Sequence, residues 1–147
     1  MRDNKAKNVV LVAEDDDEDF NLMERAFKVL NLSKQIVRVR DGQELVDYLR
    51  NPPHPDLILL DLNMPIKDGR EALQEIKSNE WLRDIPVIVL TTSKSEEDVI
   101  HTYRLGVNSF IRKPARQKEF VEMIRSLSRY WFETVELPHR GERGRHD

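Results

Sequence analysis

Four groups of reactive residues each follow directly on a short apolar run. Glu14-Asp15-Asp16 follows Val9–Ala13, and Asp61 follows Leu57–Leu60. Thr91-Thr92-Ser93 follows residues 87–90, and Lys113-Pro114 follows Ser109-Phe110-Ile111-Arg112. Short apolar runs bounded by polar residues read as strands buried on both faces. In an open parallel sheet, ligands and chemistry gather at the C-terminal edge of the strands. An acid pair, a lone aspartate, a hydroxyl and a lysine at four such edges point to an aspartate that accepts a phosphoryl group with help from a divalent metal. If the first and third strands are neighbours, Glu14, Asp15 and Asp61 converge. Two carboxylates about 5 Å apart repel by roughly 3 kcal/mol at an effective dielectric near 20. An oxygen-only donor set of this kind suits Mg²⁺. The acids at 16–19 read instead as the solvated start of a helix, where the dipole favours negative charge.

Other chemistries are excluded. Asp15, Asp17 and Asp19 have the first ligand spacings of an EF-hand loop, but Phe20 stands at its glycine position and Ala26 at its final glutamate. No glycine-rich turn follows any strand, so a dinucleotide fold fails. Absence of cysteine removes disulfides, thiolate metal sites and a cysteine nucleophile. A net charge of −3 gives no bulk electrostatic case for a nucleic-acid or membrane-surface partner. No apolar run approaches a membrane span, and residues 1–7 lack the apolar core of a signal peptide, so a cytoplasmic protein is expected. His54, His101, His139 and His146 lie away from the four edges and read as surface or loop residues. Trp81 reads as packing a helix end.

The elements between these edges alternate as repeated βα units. Helical spacing of Phe20, Met23, Phe27 and Leu30 marks the first helix, and residues 35–39 a second strand before an Asp41-Gly42 turn. A short helix around Leu45, Tyr48 and Leu49 stops at Asn51-Pro52-Pro53. A third helix spans about 70–79, and a fourth runs from Ser95 or Glu96 to Leu105 with Gly106 as its cap. The last carries Phe120, Ile124, Leu127 and Trp131. Five right-handed βα units predict a doubly wound, flavodoxin-like (βα)5 sandwich with a five-stranded parallel sheet. One domain is expected over 8–130, an extension over 131–138, and a disordered tail over 139–147. No output domain is expected within these 147 residues.

Taken together, these residues resemble the receiver domain of two-component response regulators, over roughly 8–127. Glu14 and Asp15 match that family's acid pair, Asp61 its phosphoacceptor, Met64-Pro65 the pair that follows, Thr91 its hydroxyl, Phe110 its aromatic switch position, and Lys113-Pro114 its Lys-Pro. Glu14 stands where aspartate is frequent, and Phe110 lacks the hydroxyl of the common tyrosine. Asp68-Gly69-Arg70-Glu71, Leu90-Thr91-Thr92-Ser93 and residues 131–138 resemble, more narrowly, the small single-domain regulators paired with bacterial phytochromes.

The resemblance implies that Asp61 takes a phosphoryl group from a histidine of a sensor kinase, here of the phytochrome type, and relays the signal by protein contact. Asp15, Asp61 and the Asn63 carbonyl would ligate Mg²⁺, with Glu14 acting through a metal-bound water. Lys113 would compensate charge on Asp61 and then on the phosphoryl oxygens. Thr91 and Phe110 would form the switch, and the Lys113–Pro114 bond would be cis. Such a protein is a signalling phosphoacceptor and not an enzyme acting on an external substrate. The rival is a metal-dependent phosphatase or phosphotransferase with an aspartyl intermediate, which wants a second acid where Asn63 stands. The aromatic run Tyr130-Trp131-Phe132 at the end of a complete core suggests a homodimer built on the final helix, the preceding strand and residues 131–138.

Overall fold

The computed structural model describes residues 9–138. The expected tail at 139–147, with His139 and His146, and the N-terminal segment lie outside the described residues. Five parallel strands form one sheet in the order β2-β1-β3-β4-β5: β1 Val9–Ala13, β2 Gln35–Val39, β3 Leu57–Leu60, β4 Val87–Thr91 and β5 Ser109–Arg112. This is the flavodoxin-like order expected from the repeated units. The central strands β3 and β4 are buried at every position, as continuous apolar runs require when helices cover both faces.

Five helices complete the sandwich: α1 Asp17–Val29, α2 Gly42–Tyr48, α3 Gly69–Ser78, α4 Glu96–Leu105 and α5 Gln117–Ser128. Alternate strand residues feed two cores. Val10, Val12, Leu57, Leu59, Ile88 and Leu90 pack against Met23, Ala26 and Phe27 of α1 and Phe120 and Ile124 of α5. Leu11, Ala13, Ile58, Leu60, Val87 and Val89 meet Leu45 and Leu49 near α2 and Ala72, Leu73 and Ile76 of α3 on the other face. The period of two along each strand produces this division.

Local signals explain the boundaries. Asp16 caps α1 by accepting from the amides of Glu18 and Asp19, and Asp68 and Glu71 form a reciprocal capping box on α3. Ser95 caps α4, which ends at Gly106 in the left-handed region, φ 111°. Asp41-Gly42 is not a free turn: Asp41 accepts from the Glu44 amide and caps α2, which Gly42 begins. Beyond Ser128 the final helix widens into a π-helical turn, Arg129–Thr134, so Trp131 does not continue the α spacing. His54 lies in a loop as expected but is buried, not at the surface.

Candidate functional site

Main-chain bonds set the strand ends level. Ala13 pairs with Leu60 in the parallel register, and the Asp61 amide donates to the Ala13 carbonyl at 3.1 Å. Glu14 and Asp61 therefore leave neighbouring strands side by side. On the other flank the Lys113 amide donates to the Thr91 carbonyl at 2.8 Å. The strand ends frame an open acidic cleft of about 610 Å³, lined by Asp15, Asp19, Asp61, Asn63, Thr92, Lys113 and the acids between Asp15 and Asp19.

One carboxylate oxygen each from Glu14, Asp15 and Asp61 lies within 4.8 Å of the others. Glu14 and Asp61 are only 2% and 6% exposed, while Asp15 faces solvent. Three clustered carboxylates without sulfur or imidazole are the hard-oxygen set that a divalent cation such as Mg²⁺ takes. Asn63 lies at the rim, its amide on Asp61 Oδ1 at 3.2 Å. The donor chemistry fits a cation at this point.

Lys113 supplies the positive charge, its side chain 5% exposed. Its Nζ stands 2.6 Å from Glu14 Oε1, 2.7 Å from Asp19 Oδ2 and 3.1 Å from Asp61 Oδ2. Burial pushes the Glu14 carboxyl up to about 7; the Lys113 hydrogen bond opposes this rise and the nearby Asp61 charge adds to it. For Lys113, burial alone would favour the neutral amine. The hydrogen bonds it donates to Asp19 and Glu14 and the neighbouring negative charges win, so the ammonium is held above its ordinary range.

The loop after Asp61 is held by close backbone approach. A Cβ on Gly69 would lie 2.4 Å from the Asp61 carbonyl oxygen, so glycine alone lets α3 start this near the aspartate. From α3, Arg70 grips Asp98 in a bidentate pair, donating from Nε and Nη2 at 2.7 and 2.6 Å, and also reaches Asp68 through Nη1. Asp98 in turn accepts from the Ser93 hydroxyl at 2.6 Å. Its carboxyl is held down at about 2, chiefly by the Arg70 hydrogen bonds against the opposing effect of burial, with Ser93 helping. The β4–α4 loop is thus tied to α3.

Sequence reasoning brings Glu14, Asp15, Asp61, Asn63 and Lys113 together, and the geometry does the same. The two strand-end threonines are placed differently. Thr92 lines the cleft, whereas Thr91 is fully buried and its Oγ1 accepts from the Ser93 amide at 3.4 Å. Both sit at the strand end, and only the register separates them. Thr91 falls on the same sheet face as Val89, and Phe110 pairs with Val89 from β5, so the two expected switch residues are near neighbours. The Phe110 amide donates to the Tyr103 hydroxyl at 3.2 Å.

Asp19 is more than a helix-start acid, because it reaches Lys113. Its spacing four residues after Asp15, one helical turn on, is the signal that could have found it. Asp17 likewise pairs with Arg38 and Arg40, whose hydrogen bonds hold its carboxyl below the ordinary value. The cis bond expected at Lys113–Pro114 is trans; the cis bond among the described residues is Pro52–Pro53. With the default trans bond the Lys113 amide stays in register with β4 and its ammonium still reaches all three carboxylates.

At the chain's other end, the Phe132 ring meets Phe27 at 6.4 Å between centroids, with Lys34 over its face at 4.9 Å. Trp131 and Phe132 are half-buried against the α1–α5 core, and Tyr130 is exposed. No helix among the described residues is long and apolar enough to cross a membrane.

Comparison with known proteins gives consistent matches. The response regulator receiver domain family matches residues 10–125. Response regulator Rcp1 of Synechocystis sp. is 43% identical over 136 residues, covering 88% of this chain and 92% of that protein. The phosphorylated cyanobacterial phytochrome response regulator RcpA superposes with a TM-score of 0.85 at 41% identity, covering 90% of this chain and 99% of that one. The Mn²⁺-bound form of Rcp1 superposes with a TM-score of 0.84 at 42% identity, with the same coverage.

Proposed function

The chain belongs to the response regulator receiver family, and from that premise we propose that Asp61 accepts a phosphoryl group from a phosphohistidine of a sensor kinase. The observation that carries this reading is the buried Asp61 carboxylate set between two further acids and the Lys113 ammonium. An Asp61 oxygen forms a bond to phosphorus as the phosphorus–nitrogen bond breaks. The electron pair returns to the imidazole, which takes up a proton as it leaves. Charge in the transition state spreads over the equatorial phosphoryl oxygens, so positioning and electrostatics carry the catalysis.

Asp61 is the nucleophile, and strand pairing and the close approach of Gly69 fix its backbone. Lys113 balances first the carboxylate and then the phosphoryl oxygens. Glu14, Asp15, Asp61 and the Asn63 carbonyl would hold Mg²⁺, which when bound neutralises phosphoryl charge. Thr91 moving towards the new oxygens would free space for Phe110, a local event that biases a two-state element. The Rcp1 and RcpA likenesses support a kinase of the phytochrome type. A signalling role in the cytoplasm, passed on by protein contact, follows from the same reading.

A homodimer on α5, β5 and residues 131–138 belongs to this proposal. Exposed Tyr130, set edge-on to Trp131 at 5.3 Å, supports it. Sedimentation at micromolar concentration should show a dimer that Trp131→Ala weakens; a monomer with and without beryllofluoride refutes it. Incubation with a small-molecule phosphodonor tests the function itself. One phosphoryl group should appear in the intact mass with Mg²⁺ and none with chelator, and no gain in either condition overturns the reading.

A further inference from the structure

Lys113 must steady the incoming phosphoryl oxygens, yet its ammonium has no donor to spare. A lysine ammonium carries three N–H bonds, and three carboxylates take them: Glu14 at 2.6 Å, Asp19 at 2.7 Å and Asp61 at 3.1 Å. The nucleophile has the longest of the three contacts. Asp19 is the odd partner. It is not among the acids whose oxygens converge as a cation site, and it comes from the first turn of α1, 94 residues away in sequence. It is not needed as a cap either, since Asp16 caps that helix.

We propose that Asp19 is a positioning residue that holds the Lys113 ammonium against α1 and competes with the phosphoryl group for it. Asp19 thereby limits how tightly and how long the phosphorylated state is held. The inference rests on the function proposed above. Phosphorylation of Asp61 brings new acceptor oxygens and more negative charge to the spot. One Lys113 N–H becomes available as Asp61 Oδ2 is displaced; while Glu14 keeps its own at 2.6 Å, a second becomes available when Asp19 lets go. The lysine stem is buried, so the ammonium cannot swing away to serve both. Asp19 is 28% exposed and holds the ammonium at 2.7 Å, closer than Asp61 does, which makes it the competitor.

The test compares wild type, Asp19→Asn and Asp19→Ala in Mg²⁺. Asparagine keeps a neutral acceptor without the charge, and alanine keeps neither. Beryllofluoride affinity should rise in the order wild type, Asp19→Asn, Asp19→Ala. The last step should reach about tenfold over wild type, the scale of one charge-assisted hydrogen bond. The half-life of the acyl phosphate should lengthen in the same order. A purely structural Asp19 predicts the opposite sign, weaker binding from a less stable protein. Both variants within twofold of a binding wild type, or below it, would overturn this inference alone. A wild type that binds no beryllofluoride would overturn the proposed function along with it.

Discussion

Replacing Lys113 by methionine, which keeps most of the volume but removes the charge, tests the electrostatics of the cleft. Glu14, Asp15 and Asp61 present oxygens within 4.8 Å of one another. Each pair then repels by at least about 3.5 kcal/mol at an effective dielectric near 20. Contacts of 2.6, 2.7 and 3.1 Å to Lys113 return about 5–6 kcal/mol each on the same scale. Desolvation takes most of that back, and removing one partner of such a buried set costs about 3–5 kcal/mol. That loss should appear in urea denaturation at pH 8 with chelator. Glu14 sets the pH sign. Its folded pKa is raised from 4.5 to about 7, so the native state holds that proton more tightly than the unfolded chain. The stability this gives is fully present below about pH 4.5 and lost as pH rises through about 7. The Lys113→Met penalty should therefore shrink at pH 5.5, where Glu14 is protonated. It should shrink again at pH 8 in saturating Mg²⁺, which replaces the lost charge. A penalty of equal size in all three conditions would refute the reasoning.

Two further outcomes follow from the supporting loops. Asp98→Asn should cost about 2 kcal/mol at neutral pH, the equivalent of its fall from 3.8 to about 2. A carboxylate held low contributes fully above about pH 3.8 and loses that contribution as pH falls through about 2. Wild type and variant should thus converge in acid titration, and a difference that persists unchanged at pH 2 contradicts the Arg70 pairing. Gly69→Ala places a Cβ 2.4 Å from the Asp61 carbonyl oxygen and 2.7 Å from Leu62 Cα. It should lower stability by about 2–3 kcal/mol and slow phosphorylation; a variant with wild-type melting and rate would show that the approach is not tight.

Much of this architecture is legible in the sequence because its signals are local. The apolar runs of β3 and β4 are too short for buried helices and too continuous for surface strands. The Ser95 and Gly106 caps bound α4 as read. Less is legible where one residue type serves two roles. Asp41-Gly42 has the composition of a turn, and only the Glu44 amide on the Asp41 side chain makes it a helix start. Thr91 and Thr92 are adjacent hydroxyls at one strand end, and their assignment to core or cleft depends on register. Asp19 looked like a helix-start acid because its partner, Lys113, arrives from β5 by tertiary packing alone. The convergence of Glu14, Asp15 and Asp61 was accessible because strand-end position and parallel pairing suffice to predict it.

The central claim, that Asp61 is the phosphoacceptor, is tested most directly by locating the modification. The protein would be phosphorylated in Mg²⁺ by a sensor histidine kinase, the acyl phosphate trapped by borohydride reduction, and the peptides mapped by mass. The account predicts reduction at residue 61 alone and no phosphoryl gain in Asp61→Asn. A reduced residue at any other acid of the cleft, or an Asp61→Asn protein that still gains the phosphoryl group, would contradict it.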